Sequence, residues 1–229
     1  FFRPTAGLAG LLAFTIAWVI APPTASAATV EKRVAASTDD AEQFASGSMS
    51  LTSSDLELVF DTSNQTIGIR WTGLLIPAGS TVTAAWIQFT ADEAHTETTS
   101  VSIQAQAADN AATFASTSGN VSTRPRTSAT VPWSPPAWTV GAAGAAQRTP
   151  DLTAAIQEVV GRGGWAYGNA LAVIITGFGH RTADAYEGSP NAAPLLHVEF
   201  TPPANPTAML SVTQPASPPL TVRADGSAS

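Results

Sequence analysis

Apolar and polar residues alternate with a period of two over short segments, and this constrains the chain more than any other feature of its sequence. In Asp55–Asp61, Leu56, Leu58 and Phe60 share one face, with Glu57 and Val59 on the other. Ile67, Ile69 and Trp71 alternate with Gly68 and Arg70, and Ala85, Ile87 and Phe89 with Trp86, Gln88 and Thr90. The same rhythm recurs in Val101–Gln106 and in Leu196–Phe200. The run Ala170-Leu-Ala-Val-Ile-Ile175 has no polar face and predicts a strand buried on both sides. One segment departs from the rule. Leu152, Ile156, Val159 and Val160 recur at helical spacing between Thr149-Pro150 and Gly161, which predicts one helix of about three turns capped by Thr149. Strands in series with a single helix predict an all-β fold, an antiparallel β-sandwich of jelly-roll type.

The flanks read differently from this centre. Leu8–Ala21 is apolar apart from one Thr, shorter than the about 20 residues of a membrane span, with Arg3 before it and Ala25-Ser-Ala27 after it. Residues 1–27 are therefore expected to be a secretory signal peptide cut after Ala27, the alternative being an uncleaved anchor. The sandwich is expected over 28–200 and a Pro-rich linker over 201–208. Residues 209–229 read as two strand starts of a further module, too short to enclose a core. A chain that opens on Phe1 and stops inside a module reads as a fragment of a larger secreted protein, with no membrane attachment once the signal is removed.

Composition removes several kinds of chemistry. With no Cys there is no disulfide framework, thiolate metal site or thiol nucleophile. A net charge of −7 argues against nucleic acid as a partner, because binding rests on neutralising phosphates. No G-x-S-x-G elbow is present, and Gly161-Arg-Gly-Gly164 follows a helix instead of opening one, so it does not cradle phosphate. Asn64-Gln-Thr66 and Asn120-Val-Ser122 are glycosylation sequons, relevant only in a eukaryotic secretory host. His95, His180 and His197 fit no metal spacing, and the crowding of His95 by Asp92, Glu93 and Glu97 reads as a solvated turn.

Two constellations remain. Asp39, Asp40 and Glu42, with Asp184 and Glu187, are clustered oxygen ligands that would suit calcium. Trp133-Ser-Pro-Pro-Ala-Trp138 places two indoles in a Pro-stiffened loop, which would offer stacking faces to sugar rings at little ordering cost. Arg124 and Arg126 would reach acidic sugars. The alternative is that both Trp cap the sandwich.

Two resemblances sharpen these expectations. Ser211-Val-Thr-Gln-Pro followed by Pro219-Leu-Thr-Val-Arg-Ala-Asp-Gly-Ser-Ala-Ser229 resembles the opening of a PKD domain, an Ig-like spacer of secreted bacterial proteins. Ser37-Thr-Asp-Asp-Ala41, Ile67-Gly-Ile-Arg-Trp71, Ile76-Pro-Ala-Gly-Ser-Thr-Val82 before Ala84–Phe89, the helix Asp151–Glu158 and Pro194–Phe200 are similar to the disaggregatase-related and DNRLRE-type jelly-roll modules. Some of those are carbohydrate-binding. The resemblances imply a non-catalytic extracellular module that binds polysaccharide or cell-surface glycan within a multimodular parent. The alternatives are an accessory domain of a secreted hydrolase and a structural stalk or adhesin.

Overall fold

The computed structural model describes residues 26–204 and two short strands, 211–213 and 223–225. The apolar run 8–21 and most of the 201–229 tail lie outside the described residues. Among the described residues, no helix is long and apolar enough to cross a membrane. The chain divides into two units, of which Ala25–Pro203 carries the fold. In the other unit β12 (Ser211–Thr213) and β13 (Arg223–Asp225), numbered in chain order, pair antiparallel with Val212 opposite Ala224.

Ala25–Pro203 is an antiparallel β-sandwich. Its smaller sheet has the order β1 (Ala28–Arg33), β11 (Leu195–Thr201), β6 (Thr81–Gln88). The larger runs β3 (Met49–Ser50), β2 (Asp40–Phe44), β5 (Gln65–Trp71), β9 (Leu171–Phe178), β7 (Ser100–Ala105), β8 (Val131–Trp133). A separate ribbon pairs β4 (Asp55–Glu57) with β10 (Thr182–Asp184). Period two does what the sequence requires of it. Val30, Val82, Ala85, Ile87, Leu196, Val198 and Phe200 from the small sheet meet Ile67, Ile69, Trp71, Val101, Ile103, Val173 and Ile175 from the large one in a single core.

The large sheet is covered on its outer face as well. Ala172 and Ile174 join Ala41, Ala111, Phe114 and Val121 in a second cluster, so β9 is apolar on both faces because both are buried. Gly68 makes this possible, since a Cβ there would stand 2.6 Å from the Phe114 ring. Arg124 fastens the covering loop. Its guanidinium lies 4.1 Å above Phe114 and donates to the carbonyls of Ala112 and Thr113 and to Gln106.

The helix α1 (Thr153–Val160) starts later and is shorter than its sequence signals predict. Thr149 is not its cap. Its hydroxyl accepts from the Ile87 amide, and residues 147–152 run along β6, exchanging backbone hydrogen bonds with Ala85, Ile87 and Phe89. The N-cap position is Leu152, which has no side-chain acceptor, and Asp151 just before it accepts from the Thr153 amide at 3.0 Å. The edge of β6 is thus closed against further strand pairing. β4 also ends sooner than the alternation suggests, because Leu58 and Val59 are both buried while Phe60 is exposed.

Candidate functional site

Most side chains that the sequence singles out belong to the framework. Trp133 and Trp138 are 6% and 1% exposed and pack with Phe89 at centroid distances of 5.8 and 6.3 Å. The Trp138 indole N–H donates to the Ala146 carbonyl. This corrects the stacking expectation: the apolar gain of burying two indoles exceeds that of leaving them in water, so the loop folds inward. Buried Arg181 holds it there, donating to the carbonyls of Pro135, Pro136 and Glu97. Arg124 is spent on the loop described above, and Arg126 is half-buried beside Gln106.

The five carboxylates expected to hold calcium do not converge, because strand alternation sends them to different places. Asp39 pairs with Arg70 on the outer face. Asp40 and Glu42 point inward, each 3% exposed, and accept the backbone amides of Tyr186 and Glu57 at 2.8 Å. Burial pushes both carboxyls up to about 7, reinforced by the nearby carboxylates of Glu187 and Asp39 for Asp40, and of Glu57 and Asp55 for Glu42. Glu187 thus lies by Asp40, whereas Asp184 pairs with Asp55 on the ribbon.

The ribbon carries the densest group of titratable side chains. Asp55 and Glu57 on β4 stand opposite Asp184 and Thr182 on β10, and period two places His180 on the same face. Residues 90–92 continue the pairing, since Asp184 N–H donates to Thr90 and Asp92 N–H to Thr182. The chain then lays Asp92, Glu93, His95 and Glu97 over that face. His95 is held from below: its carbonyl accepts the Trp138 amide, so the buried Trp loop is the floor of this site.

The two imidazoles lie 3.8 Å apart between centroids. His95 Nε2 is 2.9 Å from Thr182 Oγ1 and 3.1 Å from Glu93 Oε2, with Glu97 3.5 Å from its Nδ1. His180 Nε2 contacts Glu57 Oε2 and lies 3.3 Å from Thr182 Oγ1, which is itself 3.0 Å from Glu57 Oε2. Burial, then the neighbouring carboxylates, raise the carboxyls of Asp92 and Asp184. Thr182, His95 and Glu97 follow the order of a hydroxyl nucleophile, base and orienting acid. Yet Thr182 is fully buried and bonded to Glu57, so no substrate reaches its oxygen. Beside His180 a cleft of about 370 Å³ is lined by Phe60, Asn64, Glu97, Phe178, Gly179 and His180. Gly179, at φ +91°, lies where a Cβ would strike Thr99 at 2.5 Å.

A second group occupies the open face of the small sheet. Glu31, His197 and Trp86 form one row across β1, β11 and β6. His197 stacks on Trp86 at 3.8 Å and 13°, held by Glu31 at 2.8 Å and Glu199 at 3.3 Å. Arg148 covers the other face of the indole at 5.1 Å. Its guanidinium makes no ion pair or side-chain hydrogen bond among the described residues. The adjoining hollow of about 350 Å³ is lined by Ala84, Trp86, Arg148, Thr149, Pro150 and Asp151.

No protein-family model matches the chain. No curated protein matches it either.

Proposed function

We propose that Ala25–Pro203 is a non-catalytic module that binds polysaccharide or cell-surface glycan through the open face of the small sheet, within a secreted multimodular protein. One observation carries this reading: Trp86 is the half-exposed indole of the domain, and beside it Arg148 presents unpaired donors over a hollow of sugar size. Each part has a task that sugar recognition needs. The indole supplies a flat apolar surface for pyranose C–H groups once Arg148 swings off it. The Arg148 fork takes a carboxylate or sulfate of an acidic sugar, and the carboxylates of Asp151 and Glu199 accept hydroxyls. His197, wedged between two carboxylates, holds the ring upright.

The test is retention of the chain on a panel of neutral and acidic polysaccharides, with and without EDTA, beside Trp86→Ala, Arg148→Met and a Trp133→Phe control. Retention by wild type and control that Trp86→Ala loses is expected. Equal retention by Trp86→Ala, or none by wild type across the panel, would overturn the reading in favour of a stalk.

A further inference from the structure

We propose that the cleft between the end of β9 and the 60–64 turn binds a small quaternary ammonium ion of choline type, held among Phe60, Phe178 and His180 with Glu97 as its counter-ion. Phe60 and Phe178 are 39% and 57% exposed, and both line this cleft. Leaving two phenyl rings in water forgoes the gain of burying them, yet the backbone is built to keep them there. Phe178 sits between Gly177 at φ +150° and Gly179 at φ +91°. A Cβ on these glycines would stand 2.3 Å from the Ser100 carbonyl oxygen and 2.5 Å from the Thr99 Cα. Only glycine lets the strand end press so closely on 98–101, and that close approach fixes the backbone from which Phe178 projects. Phe60 is set by its bridge to Asn64. His180 stands edge-on to Phe60, with centroids 6.3 Å apart and planes at 70°, so the two rings form walls that meet nearly at a right angle. His180 is itself held in place, its Nε2 against Glu57 and its ring 3.8 Å from that of His95.

Phenyl rings around a small space attract a cation through their electron-rich faces, and Glu97 adds a carboxylate to the lining. Its own amide, and after it the Thr96 amide, hold the Glu97 carboxyl below the ordinary carboxylate range, so it carries its charge. Arg181 lies 3.9 Å from Glu97 but is buried and donates to the carbonyls of Pro135, Pro136 and Glu97, outside the cleft lining. The kind of cation follows from the shortage of acceptors. A primary ammonium brings three donors that each need a partner. Among side chains the lining offers the Glu97 carboxylate and the Asn64 amide, and the rest is phenyl, glycine and an imidazole whose Nε2 is already engaged. A trimethylammonium group brings no donor and sets its methyls against the phenyl walls, leaving Asn64 for a ligand hydroxyl. The cleft volume of about 370 Å³ suits a ligand of that size. The Trp86 hollow would not take the same ion, because Arg148 lines it.

The whole chain would be titrated by calorimetry with choline chloride, with its uncharged tert-butyl isostere and with ethanolamine. Phe60→Ala, Phe178→Ala and Glu97→Gln would be measured alongside, with Tyr167→Ala as an exposed aromatic outside the cleft lining. Expected are one choline per chain and affinity about tenfold weaker for the uncharged isostere and in either Phe variant. Glu97→Gln should weaken binding several-fold and Tyr167→Ala should leave it unchanged. Melting temperatures identify any variant that fails to fold. In that event nuclear Overhauser contacts in the wild type decide, since the choline methyl protons should reach the ring protons of Phe60 and Phe178. The proposal is overturned if the wild type takes up no choline at millimolar concentration, or if the isostere or ethanolamine binds as well as choline. It is overturned too if Tyr167→Ala weakens binding as much as the Phe variants do, or if those methyl contacts are missing. Glycan retention by the Trp86 face stands or falls separately, since none of these residues lies there.

Discussion

Asp40 and Glu42 make the domain more stable in acid than in base. Both point into the sandwich from β2, both accept a backbone amide, and burial holds each carboxyl near 7 against ordinary values of 3.8 and 4.5. The native chain therefore keeps two protons that the unfolded chain releases between about pH 4 and 5. Wherever the native state binds more protons, unfolding free energy falls as pH rises. The loss runs from about pH 4 to about pH 7 and then levels off. At about 1.4 kcal/mol per unit, each group taken singly forfeits roughly 3–4 kcal/mol, an upper bound that relaxation and water entry reduce. Even half of the combined figure is a large share of the about 5–15 kcal/mol that stabilises a domain.

Urea unfolding of the whole chain, followed by fluorescence of the buried Trp residues in EDTA at pH 5 and pH 8, measures this directly. The midpoint should be clearly lower at pH 8 with the slope unchanged. Asp40→Asn with Glu42→Gln preserves an oxygen for the Tyr186 and Glu57 amides while removing the charge. The side-chain amide introduced by Asp40→Asn would also face Glu187, whose Oε2 is buried without a partner. The double variant should flatten the pH dependence and exceed wild type at pH 8. Equal or greater wild-type stability at pH 8 than at pH 5, or an unaltered pH dependence in the variant, would refute the reasoning.

Two further outcomes follow from packing. Trp133→Ala opens a void between Phe89 and Trp138 and should cost about 3–5 kcal/mol in urea, whereas Trp86→Ala should change stability by less than about 1 kcal/mol. Gly68→Ala drives a methyl into Phe114 and should cost about 1–3 kcal/mol, with much of it recovered by Phe114→Leu in a double-mutant cycle.

The architecture is legible in the sequence wherever one physical rule acts alone. Burial on one face writes period two into β5, β6, β7 and β11, and burial on both faces writes the unbroken run of β9. The helix start is misplaced because Thr149 before Pro150 has the chemistry of an N-cap, yet β6 claims it first: the Ile87 amide donates to the Thr149 hydroxyl. The Trp133–Trp138 loop misleads for a related reason. Proline stiffness and paired aromatics look alike whether a loop faces solvent or core, and here the deciding group is Arg181, 45 positions from Pro136 in sequence.

The ribbon site is unreadable for a deeper reason. Its signal is present in part: Asp55 and Glu57 on one strand, and His180, Thr182 and Asp184 on another, repeat with period two, which marks a polar strand face. What sequence spacing does not contain is the register that sets Glu57 opposite Thr182, nor the backbone bonds from Asp92 to Thr182 and from Asp184 to Thr90 that draw the 91–97 loop across it. Those bonds, with the Trp138 amide beneath His95, turn an exposed acidic turn into the lid of a half-buried cluster. Framework and site are therefore one construction. The loop whose indoles the sequence offers to a ligand instead packs them inward, and its Trp138 backbone amide supports the carbonyl of His95 where that ring meets His180.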